Sequence, residues 1–285
     1  MKRSAICLFA AALLVVFAAA SGRAETTLEK INRTGVLVVG TRTGSPPFGF
    51  YNRQNEWVGF SIDLARLAHQ KVEQKLGKQI KFELKETVPA TRIPLLSSGA
   101  VDLIAGTMTI TQSRRESVDF SIPFFVTGAQ LLVKKGSRIR SLKDLEGKRL
   151  GAQQGSTNER IVREKWSKIR LVVFQDQPAA FTALAQGKID AYTNDGVQLA
   201  GLKAKAPNSG NYQVVGDFFS YEPYGMAMRR DDPDFRLLVD LALMEAIEGG
   251  EYFRLYDKWF GPKGEVPYPL SPEVRVFLKY LVIPR

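Results

Sequence analysis

Residues 96–115 read LSSGAVDLIAGTMTITQSRR. The stretch holds a helix end, a glycine stop at Gly99, an apolar strand over Val101–Ala105 and a second glycine at Gly106. Beyond the strand the hydroxyl residues Thr107, Thr109 and Thr111 occupy alternate positions ahead of Arg114 and Arg115. Alternation in an extended segment puts alternate side chains on one side. Hydroxyls donate and accept, and an arginine fork grips a carboxylate with two bonds. That inventory suits a small zwitterion; a polar turn with a solvated arginine pair is the other reading of the same residues.

The pattern recurs. Leu184-Ala185-Gln186-Gly187-Lys188-Ile189-Asp190 shares L-x-x-G-x-x-D with Leu96–Asp102. Each copy is a helix end, a stop and a strand start, so Thr107 and Asp195 both fall just past the carboxyl end of a strand. Open α/β sheets bind ligands there. Strands are expected at Val36–Gly40, Ile80–Leu84, Val101–Ala105, Leu131–Lys134, Arg149–Ala152, Leu171–Phe174, Ile189–Tyr192, Tyr212–Val215 and Met226–Arg229. Helices are expected near Ser61–Leu76, Ala90–Ser98, Ser141–Leu145, Thr157–Trp166, Ala179–Gln186, Val197–Lys203 and Asp234–Glu248, with another after Ser271-Pro272-Glu273. Alternation of this kind predicts an α/β fold.

The first residues carry a different message. Lys2 and Arg3 precede an apolar run from Ala5 to about Ala20, and Gly22-Arg23-Ala24 follows, which reads as a signal peptide over residues 1–24. Cleavage there removes Cys7, the single cysteine. An exported chain without cysteine relies on its core rather than on disulfides. Roughly 260 residues remain, enough for one large domain or two lobes. The formal net charge is +11, three of it from Lys2, Arg3 and Arg23. Basic and acidic residues are interspersed and no nucleic-acid-binding motif is present, so the charge reads as solvated surface with a bias toward anions.

GTMTIT…SRR…VDFS.PF resembles the central signature of family 3 of the extracellular solute-binding proteins, the receptor subunits of ABC importers for amino acids. The resemblance runs from VLVVGTR at Val36 to YDKWFG around Trp259, through RIPLL at Arg92, LLVKKG at Leu131, LAG at Leu199, the Tyr224-Gly225 pair and R-x-DDP-x-F ending at Phe235. Among family members it is nearest those that bind glutamate and aspartate. It implies a type II periplasmic-binding-protein fold: two α/β lobes joined by two crossing strands, with the ligand cleft between them. Residues 25–127 and 225–285 would form a discontinuous lobe 1 and 128–224 lobe 2, with crossings near Thr127–Gln130 and Pro223–Met226. Such proteins close on ligand by hinge motion.

The same resemblance assigns roles. Arg114 takes the ligand α-carboxylate, and Arg115 faces solvent. The start of the helix after Gln153-Gln154-Gly155 adds N–H groups and the hydroxyls of Ser156 and Thr157; an ordinary helix cap is the alternative for either residue. Asp195 pairs with the α-ammonium, with Thr107 and Thr109 as further acceptors; a helix-capping role is the alternative for Asp195. Arg42 and Arg92 set side-chain specificity, because two guanidinium groups favour a carboxylate. Two positions depart from the acidic binders: Pro89 replaces a serine and Gln177 a histidine, which points toward glutamine, asparagine or another carboxylate as alternative ligands. Phe48, Phe50, Tyr51 and Phe60 are candidates for an apolar wall.

The resemblance therefore implies a monomeric periplasmic receptor that captures glutamate or aspartate and delivers it to an inner-membrane ABC permease, with no cofactor, metal or nucleic acid. The fold also has enzymatic relatives, periplasmic cyclohexadienyl dehydratases, which need a general acid. Glu86 and Glu222 are the residues to consider, both read as surface acids. The only histidine, His69, is expected at the surface of its helix.

Overall fold

The two halves of the alternating pattern each build a sheet. In a computed structural model describing residues 25–284, β1 (Val36–Thr41) pairs in parallel with β5 (Lys81–Glu86) and β6 (Leu103–Ile104). The antiparallel β15 (Ala227–Arg229) then separates β6 from β7 (Val118–Phe120). In the second sheet β10 (Arg149–Gln153) lies between β11 (Arg170–Phe174) and β12 (Ala191–Asp195), and the antiparallel β9 (Ala129–Lys134) and β13 (Tyr212–Val215) complete it. The expected signal peptide, residues 1–24, lies outside the described residues.

β15 follows the whole second sheet in sequence yet sits inside the first, so the chain crosses between lobes twice. It does so along an antiparallel ribbon of β8 (Phe125–Thr127) and β14 (Glu222–Tyr224). Three short strands, β2 (Gly44–Ser45), β3 (Gly49–Tyr51) and β4 (Trp57–Val58), form a small separate sheet beyond β1.

Helices cover both faces of each main sheet, as a buried parallel sheet requires. In lobe 1, α1 (Thr27–Thr34), α2 (Phe60–Leu76), α8 (Pro233–Glu248), α9 (Glu251–Phe260) and α10 (Pro272–Tyr280) share one core with Leu37, Val39 and Met228. α3 (Arg92–Ser97) closes the other face over Leu96, Ile104 and Met108, and the short α4 (Gln112–Arg115) follows. In lobe 2, α5 (Thr157–Lys165) packs on one face, and α6 (Gln177–Ala185) and α7 (Gly196–Lys205) on the other. Each fully buried Leu, Phe or Val is worth about 1.5–3 kcal/mol of transfer free energy.

Aromatic packing ties the ribbon to lobe 1. Phe125 on β8 lies 5.1 Å from Phe48, 5.8 Å from Tyr224 and 5.2 Å from Phe260, centroid to centroid. Phe48 and Phe60 are therefore fully buried core rather than cleft wall. His69 also departs from expectation: it is half-buried, with Nε2 2.6 Å from the Ile80 carbonyl and its ring against Phe82.

The echoed aspartates do the same work in the two lobes. Asp102 accepts from the backbone N–H of Val38 at 2.9 Å and from Lys30 Nζ at 2.7 Å. Asp190 accepts from the backbone N–H of Arg149 at 2.8 Å and from its guanidinium. Each carboxylate thus fastens its strand to the neighbouring parallel one.

Candidate functional site

The strand ends of the two sheets face each other, and the polar residues that follow them meet in one buried cluster. Lobe 1 supplies Arg42 just past β1, Arg92 at the start of α3, Thr107 and Thr109 past β6, and Arg114 on α4. Lobe 2 supplies Gln153 at the end of β10, Thr157 and Asn158 on α5, Gln177 on α6, Asp195 at the end of β12 and Gln198 on α7. The ribbon adds Glu222 and Tyr224. All of these except Arg114 are buried, and Arg114 is half-buried.

Three guanidinium groups converge from lobe 1. Arg42 Nη2 donates across the cleft to Gln153 Oε1 at 3.0 Å. Arg92 Nη1 donates to the Thr107 carbonyl at 2.8 Å, while its Nε and Nη2 are buried with no partner among the described residues. Arg114 donates from Nη1 to the Thr109 carbonyl at 2.8 Å and from Nη2 to the Gly155 carbonyl of lobe 2 at 3.2 Å. Burial depresses the pKa of Arg42 and Arg114 and pushes that of Arg92 well below the ordinary range, with Arg42 and Arg114 adding to the effect on Arg92. For Arg114 the negative charges of Glu222 and Asp195 oppose it. Buried cationic donors left unpaired are costly, which marks the position as one built to receive acceptors.

Asp195 stands at the start of α7 but makes no capping bond with its side chain. Its carboxylate instead accepts from Asn158 Nδ2 at 3.0 Å, Gln198 Nε2 at 3.0 Å and the Tyr224 hydroxyl. Burial, reinforced by the like charge of Glu222, raises its pKa to about 6 against the pull of those three donors. Gln177 donates to Ser45 Oγ at 2.9 Å and to Gln198 Oε1 at 2.5 Å, while its own Oε1 has no partner among the described residues.

Nine of the ten residues singled out from the sequence thus fall in or beside one site. Tyr51 does not: it is 49% exposed on β3 and packs on Trp57, 5.7 Å between centroids. Alternation along Gly49-Phe50-Tyr51 buries Phe50 and turns Tyr51 outward. Ser156 lies at the edge, where its hydroxyl caps α5 by accepting from the Glu159 N–H. Arg115 is exposed, as expected. Thr111, the third hydroxyl of the alternating set, caps α4 by accepting from the Arg114 N–H.

Sequence reasoning missed Gln153, Asn158, Gln198 and Tyr224, and took Glu222 for a surface acid. Glu222 is 1% exposed and accepts from three hydroxyls, those of Thr109, Thr157 and Ser220. Glu86 is exposed and engages only Thr43 among the described hydrogen bonds. Gln198 carried a usable signal, since three residues beyond Asp195 on a helix is one face.

The profile of the bacterial extracellular solute-binding proteins, family 3, matches residues 37–262. The glutamate/aspartate import solute-binding protein of Salmonella typhimurium is 35% identical over 268 residues, covering 90% of this chain and 88% of the relative. The ABC transporter glutamine-binding protein GlnH of Bacillus subtilis is 36% identical over 263 residues, covering 89% of this chain and 94% of the relative. Among solved structures, the ancestral amino acid-binding protein AncCDT-1, a precursor of cyclohexadienyl dehydratase, superposes with a TM-score of 0.73 at 33% identity, covering 82% of this chain and all of that one.

Proposed function

We propose, from the premise that this chain belongs to family 3 of the extracellular solute-binding proteins, that it is the periplasmic receptor of an ABC importer for an acidic L-amino acid, glutamate or aspartate. Amino-acid receptors are what its relatives at about 35% identity are named as. The observation that carries the acidic choice is the charge of the cleft. Three arginines, Arg42, Arg92 and Arg114, face two carboxylates, Asp195 and Glu222. A dicarboxylic amino acid brings two negative charges and one positive and leaves the enclosure neutral. A neutral amino acid leaves one buried positive charge uncompensated and a basic one leaves two, each at a steep desolvation cost.

In this reading Arg114 grips the α-carboxylate beside the start of α5. Asp195 receives the α-ammonium, and that ion pair replaces the like-charge strain it shares with Glu222. Arg92 offers its two unpartnered N–H positions, with Arg42 beside it, to the side-chain carboxylate. Contacts from both lobes make the closed state the one the ligand selects, and the permease takes its cargo from that state.

A glutamine ligand is the second reading, and one observation favours it. The unpartnered Gln177 Oε1 is an acceptor, which suits a side-chain amide N–H and repels a carboxylate. Titration calorimetry on the unfolded and refolded chain separates the two. Glutamate or aspartate binding at least about tenfold tighter than glutamine supports the acidic reading; the reverse order overturns it in favour of the amide. Saturable turnover of prephenate or arogenate with no amino-acid binding would instead make the protein an enzyme.

A further inference from the structure

We propose that Glu222, on the crossing ribbon, is the residue that makes the cleft recognise an α-amino group, by fixing which way two threonine hydroxyls point. The role rests on the reading of the cleft as an amino-acid site. The Thr109 hydroxyl, from lobe 1, and the Thr157 hydroxyl, from lobe 2, both donate to the same oxygen, Glu222 Oε2, at 2.6 and 2.8 Å. The Ser220 hydroxyl donates to the other oxygen, Oε1, at 2.6 Å. A carboxylate accepts and never donates, and a hydroxyl has one proton. Once that proton is given to Glu222, each threonine oxygen has only lone pairs left for the cleft.

This settles a question that the hydroxyls alone leave open. A threonine beside a ligand serves a carboxylate by donating or an ammonium by accepting. With Glu222 behind them, Thr109 and Thr157 act as acceptors, so the Thr157 hydroxyl does not serve the carboxylate as the resemblance implies; together with Asp195 the two form a set of lone pairs that suits an ammonium. Arg114 gains at the same time, since the negative charge of Glu222 opposes the effect of burial on it. One buried carboxylate that the ligand does not touch thus sorts the floor of the site into an anion-binding arginine and a cation-binding set of oxygens. Its place on β14 puts this sorter on the ribbon that joins the lobes, with one threonine from each lobe on the same oxygen, so the acceptor set is assembled only on closure.

Glu222→Gln tests the role. The glutamine side chain keeps its shape, but its amide N–H₂ donates, so the hydroxyls can turn and offer their protons to the cleft. Binding of L-glutamate and of glutarate, which lacks only the amino group, is measured for wild type and variant by direct titration or by displacement. The expected result is a loss of about tenfold or more for glutamate, with glutarate unchanged or tighter and unliganded thermal unfolding unaltered. Equal losses for the two ligands, or none for either, would overturn the role. If glutamine proves the preferred ligand, glutamine and its des-amino counterpart replace the pair. A wild type that binds no amino acid overturns the amino-acid reading itself and this role with it. Should Glu222→Gln fail to fold, Thr109→Val and Thr157→Val carry the test: each removes one acceptor and should weaken glutamate selectively, and unselective weakening in both would overturn the role.

Discussion

Gly201 on α7 faces the backbone carbonyl of Pro46 from the opposite lobe, so closely that a Cβ would overlap the oxygen. The contact exists only when the lobes are together. Gly201 lies within a helix, where alanine is favoured over glycine by about 0.5–1 kcal/mol. Gly201→Ala should therefore leave lobe 2 as stable as before or more so, while overpacking of about 1–3 kcal/mol falls on the closed state alone. Ligand affinity should drop roughly fivefold to a hundredfold, with unliganded unfolding temperature unchanged or higher. Calorimetric titration beside thermal unfolding reads both; unchanged affinity would mean that the lobes do not meet here when ligand is bound.

Side-chain selectivity should reside in Arg42 and Arg92 rather than in Arg114. Arg42→Met and Arg92→Met remove guanidinium groups that face the far end of the ligand in the proposed pose. Truncating one partner of a buried charge pair costs about 2–5 kcal/mol, so glutamate should lose that much while glutamine loses far less. Arg114→Ala should abolish both. Titration of the three variants with both ligands checks the pattern, and losses at Arg42 and Arg92 that are equal for glutamate and glutamine would remove these residues from the specificity argument.

Protonation should drive the unliganded lobes together. In the closed arrangement burial and Glu222 raise the Asp195 pKa from 3.8 to about 6. The closed form therefore binds more protons than the open one between those values, and by linkage it gains stability as pH falls through that window and loses it as pH rises. At neutral pH the charge of Asp195 opposes closure until a ligand ammonium offsets it. Small-angle scattering of the unliganded chain should show compaction on acidification from pH 7 to pH 5. Asp195→Asn should be compact at both, and bind amino acids poorly. A scattering curve independent of pH in the wild type would contradict the assignment.

The main sheets and most of the helices were legible because their signals are local. The glycine stops Gly99 and Gly187 and the capping box at Ser141 each act within a few residues. The same kind of signal was present and overlooked at α1, where Thr26 and Glu29 form a capping box ahead of the left-handed Gly35. The strands β2 to β4 were unreadable, since runs of two or three residues carry no periodicity. Within the site, residues just past strand ends were found, because strand direction places them. Tyr224 and Glu222 were not, because their partners come from Thr109, Thr157 and Asp195 on three separate segments. Contacts of that separation leave no pattern in sequence.

The repeated aspartates should differ in weight although they do the same work. Asp102 is fully buried and neutralised by the half-buried Lys30, whose Nζ lies 2.7 Å away, so replacing it strands the Val38 N–H and leaves the ammonium with only the Gly99 carbonyl. Asp190 is 32% exposed and Arg149 44%, and water takes over much of what the pair provides. Breaking a well-buried pair costs about 3–5 kcal/mol, whereas at Asp190 water screens the pair and the main loss is the bond to the Arg149 N–H. Asp102→Ala should thus destabilise the chain by at least about 2 kcal/mol more than Asp190→Ala in denaturant titration. Comparable losses would show that the backbone bond, common to both, outweighs the charge.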